Sequence, residues 1–204
     1  MSKVEKLSNL VQYGGLQIFS GQILSRIQVI TGKEQGRIEE CRVITPKAIS
    51  SEGEIDDTLV EQEKKHFIVP SMDKLSKEGD IVIKLSTPFD SATITKNLVG
   101  CIIPSFCAII RNDPNKSIVT TDYLQAFLNS DVCKRQLESK VLGVAMTILS
   151  IGKIKDIEIP IPSKTMQEEI GQAYRKVQEK NRVLKQILDL EKKKSEILFR
   201  ELMQ

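Results

Sequence analysis

Apolar and polar positions follow two different rules along this chain, and the change falls at Pro162. From Ile18 to Pro70 short apolar runs (FSGQILSRIQVI, GRIEECRVITPKAI, KKHFIVP) alternate with Gly, Thr and charged residues, a pattern of short strands and long loops. Gly79-Asp80 then marks a turn, Ile81 to Leu85 a strand, and Ser86-Thr87-Pro88 its end. Ser91 to Lys96 and Cys107 to Arg111 read as further strands separated by Gly100 and Pro104, with a turn at Asn112-Asp113-Pro114-Asn115. Thr121 or Asp122 caps a helix over YLQAFLN, and Ser130 or Asp131 caps another over VCKRQLESKVL that Gly143 ends. Ile154 to Ile161 reads as a last strand, closed by Pro160 and Pro162. Together these elements predict an α+β fold, a globular domain with a β-rich core and flanking helices.

Beyond Pro162 there is no proline and one glycine, and Thr165-x-x-Glu168 has the form of a capping box. The helix it opens can run to Leu202, about 57 Å at the usual rise per residue. Its apolar positions keep a heptad: Ile170, Val177, Leu184 and Leu198 on one line, Tyr174, Leu188 and Leu202 on the next, widened by Ile187 and Leu190. Asn181, Glu191 and Ser195 interrupt the stripe. A domain of this size cannot cover such a helix along its whole length, so the stripe calls for a partner helix, against the alternative of a helix folded back on its own domain. The expected division is 1–163 for the globular domain and 164–204 for a long spacer and dimerisation helix.

Composition narrows the class. The chain has 204 residues, 40% hydrophobic and 28% charged, which suits a folded domain and excludes a disordered chain. It contains no run of about 18 apolar residues, and its first residues lack the basic-then-apolar layout of a signal peptide, so a cytoplasmic location with no membrane contact is expected. Cys41, Cys101, Cys107 and Cys133 form no CxxC pair and His66 is the only histidine, which points to buried thiols and no metal. Of the net charge of +3, all lies after Ser163: the first 163 residues carry 20 basic and 20 acidic side chains, the remainder 10 and 7. Glu52, Glu54, Asp56, Asp57, Glu61 and Glu63 cluster, which leaves room for a basic face elsewhere on the domain.

Catalytic motifs are missing. Nothing matches GxxxxGK[ST], GxGxxG or GxSxG, and there is no Asn-Pro-Pro-aromatic segment of an amino-methyltransferase. Two readings of the residues are weighed at this point: a small metal-dependent nuclease built on Asp56-Asp57 and Glu61-x-Glu63, and a coiled-coil interaction protein with no nucleic-acid role.

The order of features from Gly79 onward resembles the DNA-specificity subunits of Type I restriction-modification systems. The residues that carry the likeness are Gly79-Asp80-Ile81-Val82-Ile83, Pro104-Ser105 to Ile110, Thr121-Asp122-Tyr123-Leu124 through Leu128-Asn129-Ser130, Gly143 with Leu149-Ser150, Ile154 to Pro162, and Gln167-x-x-Ile170. Members of that family usually hold two recognition domains and two spacer helices, whereas one of each is found here. The resemblance therefore implies a half-length, non-catalytic subunit, a homodimer whose two domains sit at opposite ends of an antiparallel helix pair and read a bipartite site in double-stranded DNA. It implies methyltransferase (modification) subunits that use S-adenosylmethionine, and a motor-nuclease (restriction) subunit that uses ATP and Mg²⁺, as partners. No cofactor is expected in this chain.

Base reading needs side chains on loops, and phosphate contacts need Lys and Arg around them. The candidates are Ser86 and Thr87 in the Pro-broken loop, Arg26, Lys33 and Arg37 around the Thr31-Gly32 turn, and Lys96, Arg111 and Thr147 at strand ends or beside Gly143.

Overall fold

Ile81, Val82 and Ile83 are all fully buried, as are Cys107, Ala108 and Ile110. Such uninterrupted apolar runs belong to strands covered on both faces. In this computed structural model, which describes residues 3–29, 36–141 and 148–203, they form the middle of a four-stranded sheet whose neighbours are all antiparallel. Its order is β2 (Leu16–Ser20), β7 (Cys107–Asn112), β5 (Ile81–Lys84), β6 (Ser91–Thr93). Two short ribbons flank it: β1 (Lys3–Lys6) with β8 (Glu158–Ile161), and β3 (Ile38–Arg42) with β4 (Lys64–Ile68).

The two faces of the sheet carry separate cores. Ile18, Ile81, Ile83, Ala108 and Ile110 pack toward α1 (Leu7–Gln12), α4 (Thr121–Leu128), α5 (Asp131–Ser139) and α6 (Ile151–Lys155). Val82, Ala92, Cys107 and Ile109 pack toward Ile44, Ile49, Leu98, Ile103 and Val60 of α3 (Asp57–Gln62). A smaller cluster of Cys41, Val43, Phe67, Leu75 and Ile102 holds the β3–β4 ribbon, beside α2 (Leu24–Ile27). All four cysteines are buried free thiols. The fold is α+β with a β-rich core, followed by the long helix α7 (Lys164–Leu202).

Helix starts follow local capping chemistry. Thr120, one residue before the expected caps, accepts from the amide of Tyr123, and Ser130 accepts from Cys133. α7 is capped by Ser163, whose hydroxyl accepts from Met166, so the Thr165-x-x-Glu168 box lies inside the first turns and does not open the helix. The expected strand from Ile154 is also corrected. Ser150 caps α6 over Ile151–Lys155, burying Ile154, and extended backbone begins only at Glu158, where β1 provides a partner. α1, which buries Leu7 and Leu10, has no counterpart among the elements expected from the sequence.

Candidate nucleic-acid interface and the helix joint

Strand directions sort the sequence-derived candidates onto opposite ends of the central sheet. β2 and β5 both run antiparallel to β7, so the residues after Ser20 and Lys84 meet those before Cys107 at one end. There the Ser105 amide donates to Gln22 O at 2.8 Å, the Gln22 amide to Ile103 O at 2.6 Å, and the Leu85 amide to Phe106 O at 3.0 Å. The Leu149 amide in turn donates to Leu85 O at 2.7 Å. Four segments are thereby stitched together at this sheet end, and the ones that begin at Gln22 and Leu85 lead to Arg26 and to Ser86 and Thr87. The exposed ring of Phe106 belongs to the same end. No pattern in the sequence distinguishes this phenylalanine from a core residue, because the turn that presents it is set by pairing with Gln22. Gly21 permits the approach: a Cβ there would lie 2.2 Å from Pro104 O.

The loop holding Ser86 and Thr87 is anchored from below. Phe89 adopts a left-handed backbone (φ 56), unfavourable for a residue with a Cβ, and its ring is fully buried. Its amide donates to Ser86 O at 2.9 Å, closing a turn that leaves Thr87 and Pro88 exposed. Behind it Asp90, nearly fully buried, binds Lys84 at 2.9 Å and Lys134 at 2.8 Å.

Arg111 and Lys96 lie at the other end of the sheet: Arg111 pairs with Gln17 near the end of β7, and Lys96 follows the last pair of β6. Arg111 is a structural residue. Its guanidinium binds both carboxylate oxygens of buried Asp80 at 2.8 and 2.7 Å and donates to Asp73 O and Leu75 O, which engages four of its five donors. Those bonds commit most of the guanidinium to its own domain, whereas the sequence offered Arg111 as a DNA contact. Lys96 is exposed, and Arg37 precedes β3 and pairs with Glu39. Lys33 and Thr147, like Gly143, fall outside the described residues.

The acidic cluster is absorbed locally. Asp56 caps α3, Asp57 accepts from Asn97, and Glu61 pairs with Arg42 and Lys64. Burial pushes the Glu54 carboxyl above its ordinary range, while Arg182 of α7 pulls it down. Among the described residues no three His, Cys, Asp or Glu side chains are grouped to hold a metal, and no helix is long and apolar enough to cross a membrane.

The long helix meets its domain through polar side chains at heptad steps. Gln167 is buried: its Oε1 accepts from the Thr120 amide at 2.9 Å and its Nε2 donates to Ile118 O and Pro162 O. Gly171 lies so close to α4 that a Cβ would come within 2.7 Å of Asp122 Cβ. The Tyr174 hydroxyl accepts from Asn129 Nδ2 at 2.6 Å, and Asn129 also exchanges hydrogen bonds with the Ser91 backbone. Burial raises the Tyr174 phenol, with the Asn129 contact opposing. Gln178 Nε2 donates to Glu52 O and Gly53 O. Tyr174, read from the sequence as a partner-facing position, therefore also serves the helix's own domain. Ile170, Val177, Leu184, Leu188, Leu198 and Leu202 remain exposed.

The chain is thus a β-rich body presenting stitched loops at one sheet end, joined through hydrogen bonds to a long helix with an exposed apolar stripe. The family described as Type I restriction modification DNA specificity domain matches residues 64–192, more than half of the chain, and the chain belongs to that family. Three solved structures share the fold. A chain studied for complex assembly and conformational transition of the type I R-M system superposes with a TM-score of 0.57 at 15% identity, covering 91% of this chain and 40% of its own length. The HsdS subunit from Thermoanaerobacter tengcongensis gives 0.56 at 20% identity, covering 90% and 47%. The S subunit of the Type-I restriction-modification system from M. genitalium gives 0.53 at 10% identity, covering 92% and 41%. This chain thus spans less than half of each of those structures. No curated protein matches it.

Proposed function

We propose that this chain is a non-catalytic specificity subunit that reads one half of a bipartite DNA site and acts as a homodimer. The observation that carries the reading is the uncovered apolar stripe of α7: a second copy of the chain covers it with a matching helix and brings a second recognition domain to the pair. The loops around Ser86, Thr87, Arg26 and Phe106 form the base-reading surface, since they extend from one end of a sheet that holds them rigidly. The subunit places methyltransferase subunits, which use S-adenosylmethionine, on the target adenine. A motor-nuclease subunit using ATP and Mg²⁺ completes the restriction complex. The balance of charge in the first 163 residues favours weak, salt-sensitive DNA binding by the subunit alone, tightened when the methyltransferases embrace the duplex. Mass in solution with and without a methyltransferase subunit tests the assembly: a dimer that recruits two methyltransferases supports it, and a monomer overturns it. Absence of DNA affinity in the presence of the methyltransferase would favour a coiled-coil interaction protein instead.

A further inference from the structure

The seam of α7 has a symmetry of its own. From Ile170 to Leu202 its positions alternate steps of four and three residues, and four of the five mirror pairs about Gln186 match in polarity. We infer that two copies pair antiparallel with the two-fold axis at the level of Gln186; this register rests on the homodimer reading above. In that register Leu184 faces Leu188 of the partner subunit, Tyr174 faces the partner's Leu198, and Ile170 faces the partner's Leu202. Polar Asn181 meets the partner's Glu191. Only Val177, opposite the partner's Ser195, pairs apolar with polar.

Neighbouring registers fail the same comparison. With the axis between Asn181 and Leu184, Leu184 would face the partner's Asn181, Tyr174 the partner's Glu191 and Ile170 the partner's Ser195. With the axis between Leu188 and Glu191, Leu188 would face the partner's Glu191, Leu184 the partner's Ser195 and Leu198 the partner's Asn181. Each arrangement buries polar or charged groups against leucine, the costly outcome for a closed seam. Charge on the flanks opposes the Gln186 register, because Lys180 approaches the partner's Lys194 and the two copies of Lys185 approach each other. Those ammonium groups end long stems in solvent and are screened by salt, so the buried seam decides.

The register has a geometric consequence for the site being read. The domain joins α7 around Tyr174, so the two joints stand about 36 Å apart along the helix pair. That is about one turn of B-form DNA, the separation at which two-fold related domains meet the same face of a duplex. The two rival registers give about 26 and about 47 Å, roughly three base pairs short or long of the turn.

Nitroxide labels placed separately at Gln172→Cys and Arg200→Cys, both exposed positions on the side away from the seam, test this in the full-length protein. The native cysteines are buried, and the unsubstituted protein serves as the labelling blank. The Gln186 axis lies midway between the two positions, so both samples should give the same dipolar distance, with labels about 42 Å apart along the axis. Either rival register makes the two samples differ by about 21 Å, in opposite senses. A dimer with unequal distances, or with two equally short distances as in a parallel pair, overturns the register and leaves the homodimer standing. A monomeric mass with no dipolar signal overturns the homodimer and the register together.

Discussion

The side-chain amide of Gln178 donates to the backbone carbonyl of Gly53 at 2.9 Å, and Gln125 donates to the same oxygen at 2.8 Å. One carbonyl thus ties α7, α4 and the loop before α3 together, bridging positions 125 residues apart in sequence. Only glycine fits there. Gly53 has φ +81, and a Cβ would lie 2.2 Å from the Tyr174 hydroxyl and 2.8 Å from Gln178 Nε2.

Gly53→Ala is therefore expected to open this joint while sparing both sheet faces. Unfolding in urea should show a loss of about 1–3 kcal/mol, the range of strain combined with a lost buried hydrogen bond. In the assembled complex the spacer between half-sites should become less uniform in methylation maps. Unchanged stability and an unchanged spacer would remove the joint's role in setting helix direction.

Arg111→Ala leaves the buried Asp80 carboxylate without its partner, and a loss of about 3–5 kcal/mol is expected from breaking such a pair. Arg111→Lys should recover little, because an ammonium cannot reproduce the two-pronged contact and the bonds to Asp73 O and Leu75 O. Denaturant titration reads the stability. If instead the variant keeps full stability and loses DNA affinity, Arg111 belongs with the DNA contacts after all.

These residues show where sequence reasoning reached and where it stopped. The run from Ile81 and the run from Cys107 announced strands, since apolar residues on consecutive positions suit a sheet covered on both faces. The length of α7 was legible from the absence of proline and the heptad. Ile154 was not assigned correctly, because its apolar neighbours fit a strand and a short helix equally and the Ser150 cap decided between them. Arg111 looked like any strand-end cation: its partner Asp80 lies 31 positions away, and only the pairing of β5 with β7 brings them together. Gln167 entered only through the family resemblance, with no contact assigned to it, and Gln178 was hidden, for a related reason. Polar side chains on a helix read as solvent-facing, and their spacing in step with Gly171 and Tyr174 was the available sign of a second, polar contact line.

Burial pushes the Cys107 and Cys133 thiols up to about 12. Because the thiolate is the reactive form, neither should react with a disulfide reagent at pH 8 in the native protein. Titration should yield four thiols only after unfolding. Fast native modification of either residue would show that the core around β7 and α5 opens more readily than this packing allows.

Replacing Leu184 and Leu188 together by Asp puts four carboxylates at the centre of the paired helices and should give monomers. Sedimentation measures the mass, and circular dichroism checks that the domain stays folded. A folded double variant that remains dimeric would place the interface elsewhere.

The central claim, that two copies of this chain read a divided DNA site for a methyltransferase, is tested most directly by mapping adenine methylation in cells that express the chain with its methyltransferase subunit. A palindromic bipartite motif with an unspecified spacer is the expected result, because a two-fold axis through the helix pair makes the half-sites identical and inverted. A non-palindromic motif would contradict the homodimer, and a motif unchanged when this chain is removed or exchanged would contradict the recognition role itself.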